Sequence, residues 1–260
     1  MRTALLIDGD IVAYKHAAGS EIPTDWGDDL WTLHTDVKQA SQQMEIDIKE
    51  LAVRFKADKI VIALSDKENF RRRIDETYKA SRKKSRKPIG LPSLRQVLLD
   101  NWDAVVMKEL EADDILGIWA TDEDFLPKHR KIIVSIDKDM KTLPCELYNP
   151  NKTELGVHTV TPEAADRFHL FQTLVGDSTD GYAGCPSIGP ARAERLLDTD
   201  CSWKAVVSAF KQQGLLEKDA LQQARLAKIL RSDNYCTCTG TIKHWTPNEN
   251  HSPKRKKEER

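Results

Sequence analysis

The sequence predicts an α/β fold, a parallel sheet layered with helices, followed by a smaller all-helical domain. Three observations carry this. Short aliphatic runs alternate with stretches of helical period, as βαβ units require. The clearest runs end in or beside an aspartate, at Asp8, Asp66 and Asp137. Beyond residue 161 strand patterns give out and only helical ones remain.

Residues 3–7, TALLI, run into Asp8-Gly9-Asp10, and the apolar spacing that follows predicts a helix over 11–18. Residues 20–31, with Pro23 and Gly27, read as a loop. Helical period returns over 36–55, with Val37, Met44, Ile48, Leu51 and Phe55 as its buried stripe. Residues 59–64, KIVIAL, form a second strand leading to Ser65-Asp66. Residues 104–107, AVVM, form a third, and residues 131–136, KIIVSI, a fourth that ends at Asp137 with Asp139 close behind. In a parallel sheet these strand ends share one edge, where open α/β folds place their sites. A shorter strand is expected within 143–148 and a turn at 150–156. Helices are expected at 162–174, 190–197, 203–212 and 219–230. The organisation is therefore a core over residues 1–160, a helical domain over 161–235 and a tail over 236–260, disordered at its end.

Composition narrows the function. Charged residues make up 31% of the 260, yet the net charge is only -1, so the distribution of charge says more about partners than its sum. No apolar run approaches a membrane span, and five scattered cysteines make no disulfide framework. A soluble chain in a reducing cytoplasm is expected. Cys236 and Cys238 with His244 and His251 match no common zinc spacing.

The densest chemistry lies at residues 110–119, LEADDILGIW, where Glu111, Asp113 and Asp114 open a helix. Three acids this close repel by about 4 kcal/mol per pair at 4 Å if the effective dielectric is near 20. A divalent metal is the simplest partner; a solvated helix start is the plainer alternative. Residues 71–87 carry the opposite sign, with nine basic residues against two acidic ones, a net of +7. A polyanion suits that strip, and Tyr78 within it is placed to lie against a base or sugar. Residues 176–192, GDSTDGYAGCPSIGPAR, add Asp177 and Asp180, a turn with Gly184 and Gly189, and a helix opening at Pro190 with Arg192 and Arg195 behind it. Backbone N–H groups in such a turn can approach a phosphate.

The motifs IDGD, SDKENFRR, ETYKASRKK, LEADD, SIDKDMKTL and GDSTDGYAGCPSIGPARA, in that order, resemble the 5′ nuclease or flap endonuclease family, and most closely the 5′ to 3′ exonucleases of short-tailed bacteriophages. The resemblance implies a PIN-like nuclease core, a basic helical arch over residues 67–98 and a helix-three-turn-helix that binds DNA. It implies two Mg²⁺ or Mn²⁺ ions, one among Asp8, Asp66, Glu111, Asp113 and Asp114, the other among Asp137, Asp139, Asp177 and Asp180, with Asp10 behind them. Lys79 and Arg82 take the family's positions on the scissile phosphate. Arg71, Arg72, Arg73, Lys83 and Lys84 would guide the strand, and the turn from Gly184 to Gly189 would hold the duplex, in many relatives with a K⁺ ion. The implied activity is 5′ to 3′ exonuclease and flap endonuclease cleavage of duplex or flap DNA, extending to RNA–DNA hybrids at primers, by a monomer acting in replication. The alternatives are a PIN-type ribonuclease and a catalytically silent DNA-binding homologue.

Overall fold

The central strand, β1 (Arg2–Asp8), is an uninterrupted aliphatic run because both faces of the sheet are covered. In the computed structural model, which describes residues 2–247, it pairs in parallel with β4 (Lys59–Leu64) on one side and β6 (His129–Val134) on the other. Beyond β4 lies β5 (Ala104–Val106), and beyond β6 lies β7 (Glu146–Tyr148), both parallel. An antiparallel strand, β8 (Val157–Thr159), closes that edge, giving the order β5-β4-β1-β6-β7-β8.

Helices α1 (Gly9–Gly19), α2 (Val37–Phe55) and α3 (Leu91–Asn101) cover one face. They bury Ala13, Ala17, Met44, Ile48, Leu94 and Leu98 against Leu5 and Ile7, while Val37, Leu51 and Phe55 are part-buried at the margin. Helix α4 (Ala112–Thr121) covers the other face with residues 229–230, which return from the C-terminal region. A Cβ on Gly117 would stand 2.3 Å from the Leu230 carbonyl oxygen, so that return is possible only over a glycine.

Helices α5 (Pro162–Val175), α6 (Pro190–Thr199), α7 (Trp203–Gln212) and α8 (Glu217–Ala227) surround their own core of Leu170, Leu174, Val206, Phe210 and Ala220. Thr161 caps α5 through the Ala164 N–H, with Pro162 in the first turn, and Ser202 caps α7 through the Ala205 N–H. Arg231 ties these helices to the core, donating to the Thr142 carbonyl at 2.8 Å and to Asp166 at 2.7 Å.

The structure departs from the sequence reading in four places. Residues 20–31 are not all loop: β2 (Glu21–Asp25) and β3 (Trp31–Thr35) make an antiparallel hairpin whose turn places Gly27, Asp28 and Asp29 at positive φ. Pro23 is tolerated because a two-stranded ribbon has free edges. The basic segment is not a helical arch: it holds two short 3₁₀ turns, Phe70–Arg73 and Ala80–Lys84, and runs against the body of the protein into α3. Helix α8 ends at Ala227, because Ile229 and Leu230 turn into the core. Residues from 236 are not yet tail: β9 (Tyr235–Cys236) pairs with β10 (Thr241–Ile242), and Trp245 is buried edge-on to Trp203 and His169. The run Lys254 to Lys257 lies outside the described residues, and no helix within them is long and apolar enough to cross a membrane.

Candidate active site

Three of the predicted acids converge where the sheet strands end. Asp8 closes β1, caps α1 by accepting from the Ile11 N–H at 3.2 Å, and takes the Ser135 hydroxyl at 3.0 Å. Asp137 follows β6 and accepts from the Asp139 N–H at 2.8 Å. Asp113 sits in the first turn of α4, where its carboxylate feels the repulsion of Asp8 and Asp137 and the weaker attraction of Lys79. Burial, with Asp137 adding to it, pushes the Asp8 carboxyl up to about 6. Burial pushes Asp113 well above its ordinary range, and Asp8 and Asp137 repel it further. Asp139, behind them, is raised to about 6 by burial and then by Asp137. These acids raise one another only because they share one desolvated place.

A second group of acids meets the basic segment. Glu111 accepts from Lys79 Nζ at 2.5 Å, from the Tyr78 hydroxyl at 3.0 Å and from Arg71 Nη1 at 3.3 Å. Burial opposes its charge, but Lys79 and Arg71 outweigh it and hold the carboxyl at about 2. Asp180 takes Arg82 Nη2 at 2.5 Å and lies 3.5 Å from Lys79 Nζ. Lys138, between two predicted ligands, donates to Asp177 at 2.8 Å. The Asp180 carbonyl accepts the Lys79 backbone N–H at 2.8 Å, so the turn after α5 rests directly on the basic segment.

Several predicted residues take other roles. Arg71 is not a strand guide: it is 2% exposed and holds both oxygens of Asp114 at 2.8 Å, together with the carbonyls of Leu226 at 3.1 Å and Lys228 at 2.5 Å. Asp114, fully buried, also accepts the N–H groups of Glu111 and Leu230, which leaves it no oxygen for an ion. Tyr78 is buried too and cannot lie against a base. Asp66 does not join the cluster; it accepts from the backbone of Lys67 and Glu109 and so pins the loop after β5. Gly184 is buried with its N–H donated to Gln223 Oε1 at 2.9 Å, and a Cβ there would stand 2.4 Å from the Gly176 nitrogen. Its positive φ and that close approach explain the glycine; phosphate contact does not.

Gly189 is exposed at the N-terminus of α6, with Arg192 exposed one turn on. Arg73 pairs with Glu109 at 2.5 Å, Arg72 is half-buried, and the side chains of Lys83 and Lys84 lie outside what the structure describes. Asp10 meets the Arg95 guanidinium and accepts from the Ser65 N–H. Of the cysteines and histidines weighed for zinc, His244 lies against Phe70 and His251 is outside the described residues. Sequence reading missed Ser135, Arg95, Lys138 and Gln172. Only Lys138, flanked by Asp137 and Asp139, carried a local signal.

The donors in this cleft are carboxylate oxygens, the chemistry that suits hard divalent ions. Among the described residues no three acid, histidine or cysteine side chains close around a single point. On the basic side, Lys79, Arg82 and Lys138 occupy oxygens that such an ion would need.

Comparison with known proteins agrees with this architecture. The chain is 30% identical to the exodeoxyribonuclease of Enterobacteria phage T3 over 94% of its own length and 92% of that protein's. It is 28% identical to the flap endonuclease Xni of Shewanella piezotolerans, over 62% of this chain and 67% of that one. Its fold matches that of the bacteriophage T5 flap endonuclease, solved as a pseudo-enzyme–product complex with DNA and metal ions, with a TM-score of 0.68 at 12% identity, covering 88% of this chain and 89% of that one. Residues 3–164 match the model of the 5′-3′ exonuclease N-terminal, resolvase-like domain, and the chain belongs to that family of nucleases.

Proposed function

We propose that this chain is a divalent-metal-dependent 5′ to 3′ exonuclease with flap endonuclease activity on duplex DNA, and on RNA–DNA hybrids at primers. The observation that carries the reading is the convergence of Asp8, Asp113 and Asp137 where the sheet strands end, a cluster of carboxylates that a bound dication would relieve of burial and mutual repulsion. The T3 and T7 relatives are exonucleases by name, and the T5 neighbour was solved with DNA and metal ions.

The reaction is hydrolysis by in-line attack of water on a phosphodiester, leaving a 5′ phosphate and a 3′ hydroxyl. Two bound Mg²⁺ or Mn²⁺ ions would polarise the phosphate and make water more acidic. Asp8, Asp113 and Asp137 would hold one, while Asp139, Asp177 and Asp180 would hold the other, with Glu111 between. Lys79 and Arg82 would exchange Glu111 and Asp180 for the phosphate oxygens as substrate arrives. Lys79, Glu111, Asp113, Asp139 and Asp180 line one small cleft, which places the cations of the basic segment beside the acids. The turns between α5 and α6 would act as a helix-three-turn-helix, with Gly189, the α6 N-terminus and Arg192 on the DNA backbone and backbone carbonyls of the turn holding K⁺.

The test is cleavage of end-labelled flap, nicked and blunt duplexes with and without Mg²⁺. Stepwise loss from the 5′ end and release of the flap, both only with metal, are the expected outcomes. No cleavage in either Mg²⁺ or Mn²⁺ would overturn the proposal, and preferential cutting of single-stranded RNA would move the chain to the ribonucleases.

A further inference from the structure

Gln172 lies on α5, an element that carries no predicted ligand, and is 4% exposed. Its Nε2 donates to Asp139 Oδ1 at 2.6 Å, while its Oε1 is buried with no partner among the described residues. Leaving an amide oxygen unpaired costs roughly 1–3 kcal/mol, so an apolar residue would serve packing better at this position. Asp139 has few other restraints: Lys138 reaches it only at 3.9 Å, and its backbone N–H is already given to Asp137. The side chain of Asp139 is therefore oriented chiefly from α5, the helix that leads directly into Asp177 and Asp180.

We infer that Gln172 is a positioning residue, which fixes Asp139 so that its second oxygen is presented to a divalent ion and couples the ion site to the helix carrying the turn before α6. This rests on the metal-dependent reading above. The neutral amide suits the task, since a cationic donor would compete with the ion and a second carboxylate would repel Asp139. The tie to Asp139 is the one hydrogen bond the Gln172 amide makes among the described residues, and apolar side chains cannot make it.

Magnesium affinity measured by calorimetry on the full chain without DNA, beside the melting temperature in EDTA, tests this without reference to turnover. Gln172→Met, which fills the space and excludes water, should weaken Mg²⁺ about tenfold while the EDTA melting temperature holds or rises. Gln172→Ala, which admits a water to the vacated space, should weaken it less, and it serves if the Met variant fails to fold. Wild-type affinity in the variants, or a loss matched by a comparable fall in the EDTA melting temperature, would overturn the positioning role alone. Failure of the wild-type chain to bind Mg²⁺ would overturn both this role and the metal-dependent reading.

Discussion

The two halves of the acid cleft differ in how their charge is met. On the side of the basic segment every acid has a protein cation: Asp114 has Arg71, Glu111 has Lys79, Asp180 has Arg82 and Asp177 has Lys138. At the strand ends Asp8, Asp113 and Asp137 form no ion pair among the described residues; burial and mutual repulsion raise the carboxyls of Asp8 and Asp113, and the Lys79 charge offsets this only in part. The same kind of side chain is thus met by a cation of the fold on one side and left beside its like on the other. What separates the two is whether the fold delivers a guanidinium or an ammonium to it.

Breaking the comparison at the unpaired side should have the largest effect. Asp113→Ala or Asp137→Ala should lower cleavage by about a thousandfold, the scale of losing one essential electrostatic contact, with duplex affinity in EDTA little changed. Turnover near that of the parent in either variant, measured on a labelled flap, would falsify the assignment. At the buried Arg71–Asp114 pair the effect should be on folding instead. Arg71→Ala strands the buried Asp114 charge and should cost about 3–5 kcal/mol in urea unfolding, and adding Asp114→Leu should recover much of it.

Smaller effects sharpen the boundary between the halves. Lys79→Ala should reduce turnover more than DNA affinity, and a loss confined to affinity would make Lys79 a guide alone. Because dications relieve the repulsion at the strand ends, Mg²⁺ at a hundredfold excess over its dissociation constant should add about 2.7 kcal/mol of stability, a rise of several degrees in melting temperature. A melting curve indifferent to EDTA would contradict this. The smallest effect lies outside both halves. Burial, with Lys228 adding to it, holds His169 neutral with a value of about 3. The unfolded chain takes up a proton there below about 6.5 while the folded one does not, so this group costs stability as pH falls from about 6.5 towards 3. In EDTA, the stability of His169→Gln relative to the parent should improve by about 2 kcal/mol between pH 7 and pH 5.

Much of the sheet was legible because its central strands are buried on both faces and so read as aliphatic runs ending in acids. The hairpin at residues 21–35 was not, since Ile22, Trp26 and Trp31 are exposed and show no alternation that marks a buried side. Within the site, the family resemblance named the acids, but local sequence could not sort them. Asp113 and Asp114 are adjacent, yet a residue step on a helix is about 100°, and only Asp114 shares the buried face of Leu110 and Ile118. That four-residue spacing was the available signal. Arg71 had none: among three consecutive arginines it differs by meeting carbonyls at Leu226 and Lys228, a contact that only the closed fold creates. Gln172 was equally silent, because its significance lies in a carboxylate on a different element.

The acidic helix that follows β5 is held in place by residues 226–230, more than a hundred positions further along. Leu230 presses on Gly117, its N–H reaches Asp114, and Arg71 is gripped by the backbone at Leu226 and Lys228. A polypeptide still emerging from the ribosome with fewer than about 230 residues exposed therefore lacks the wedge that sets its acidic helix in place.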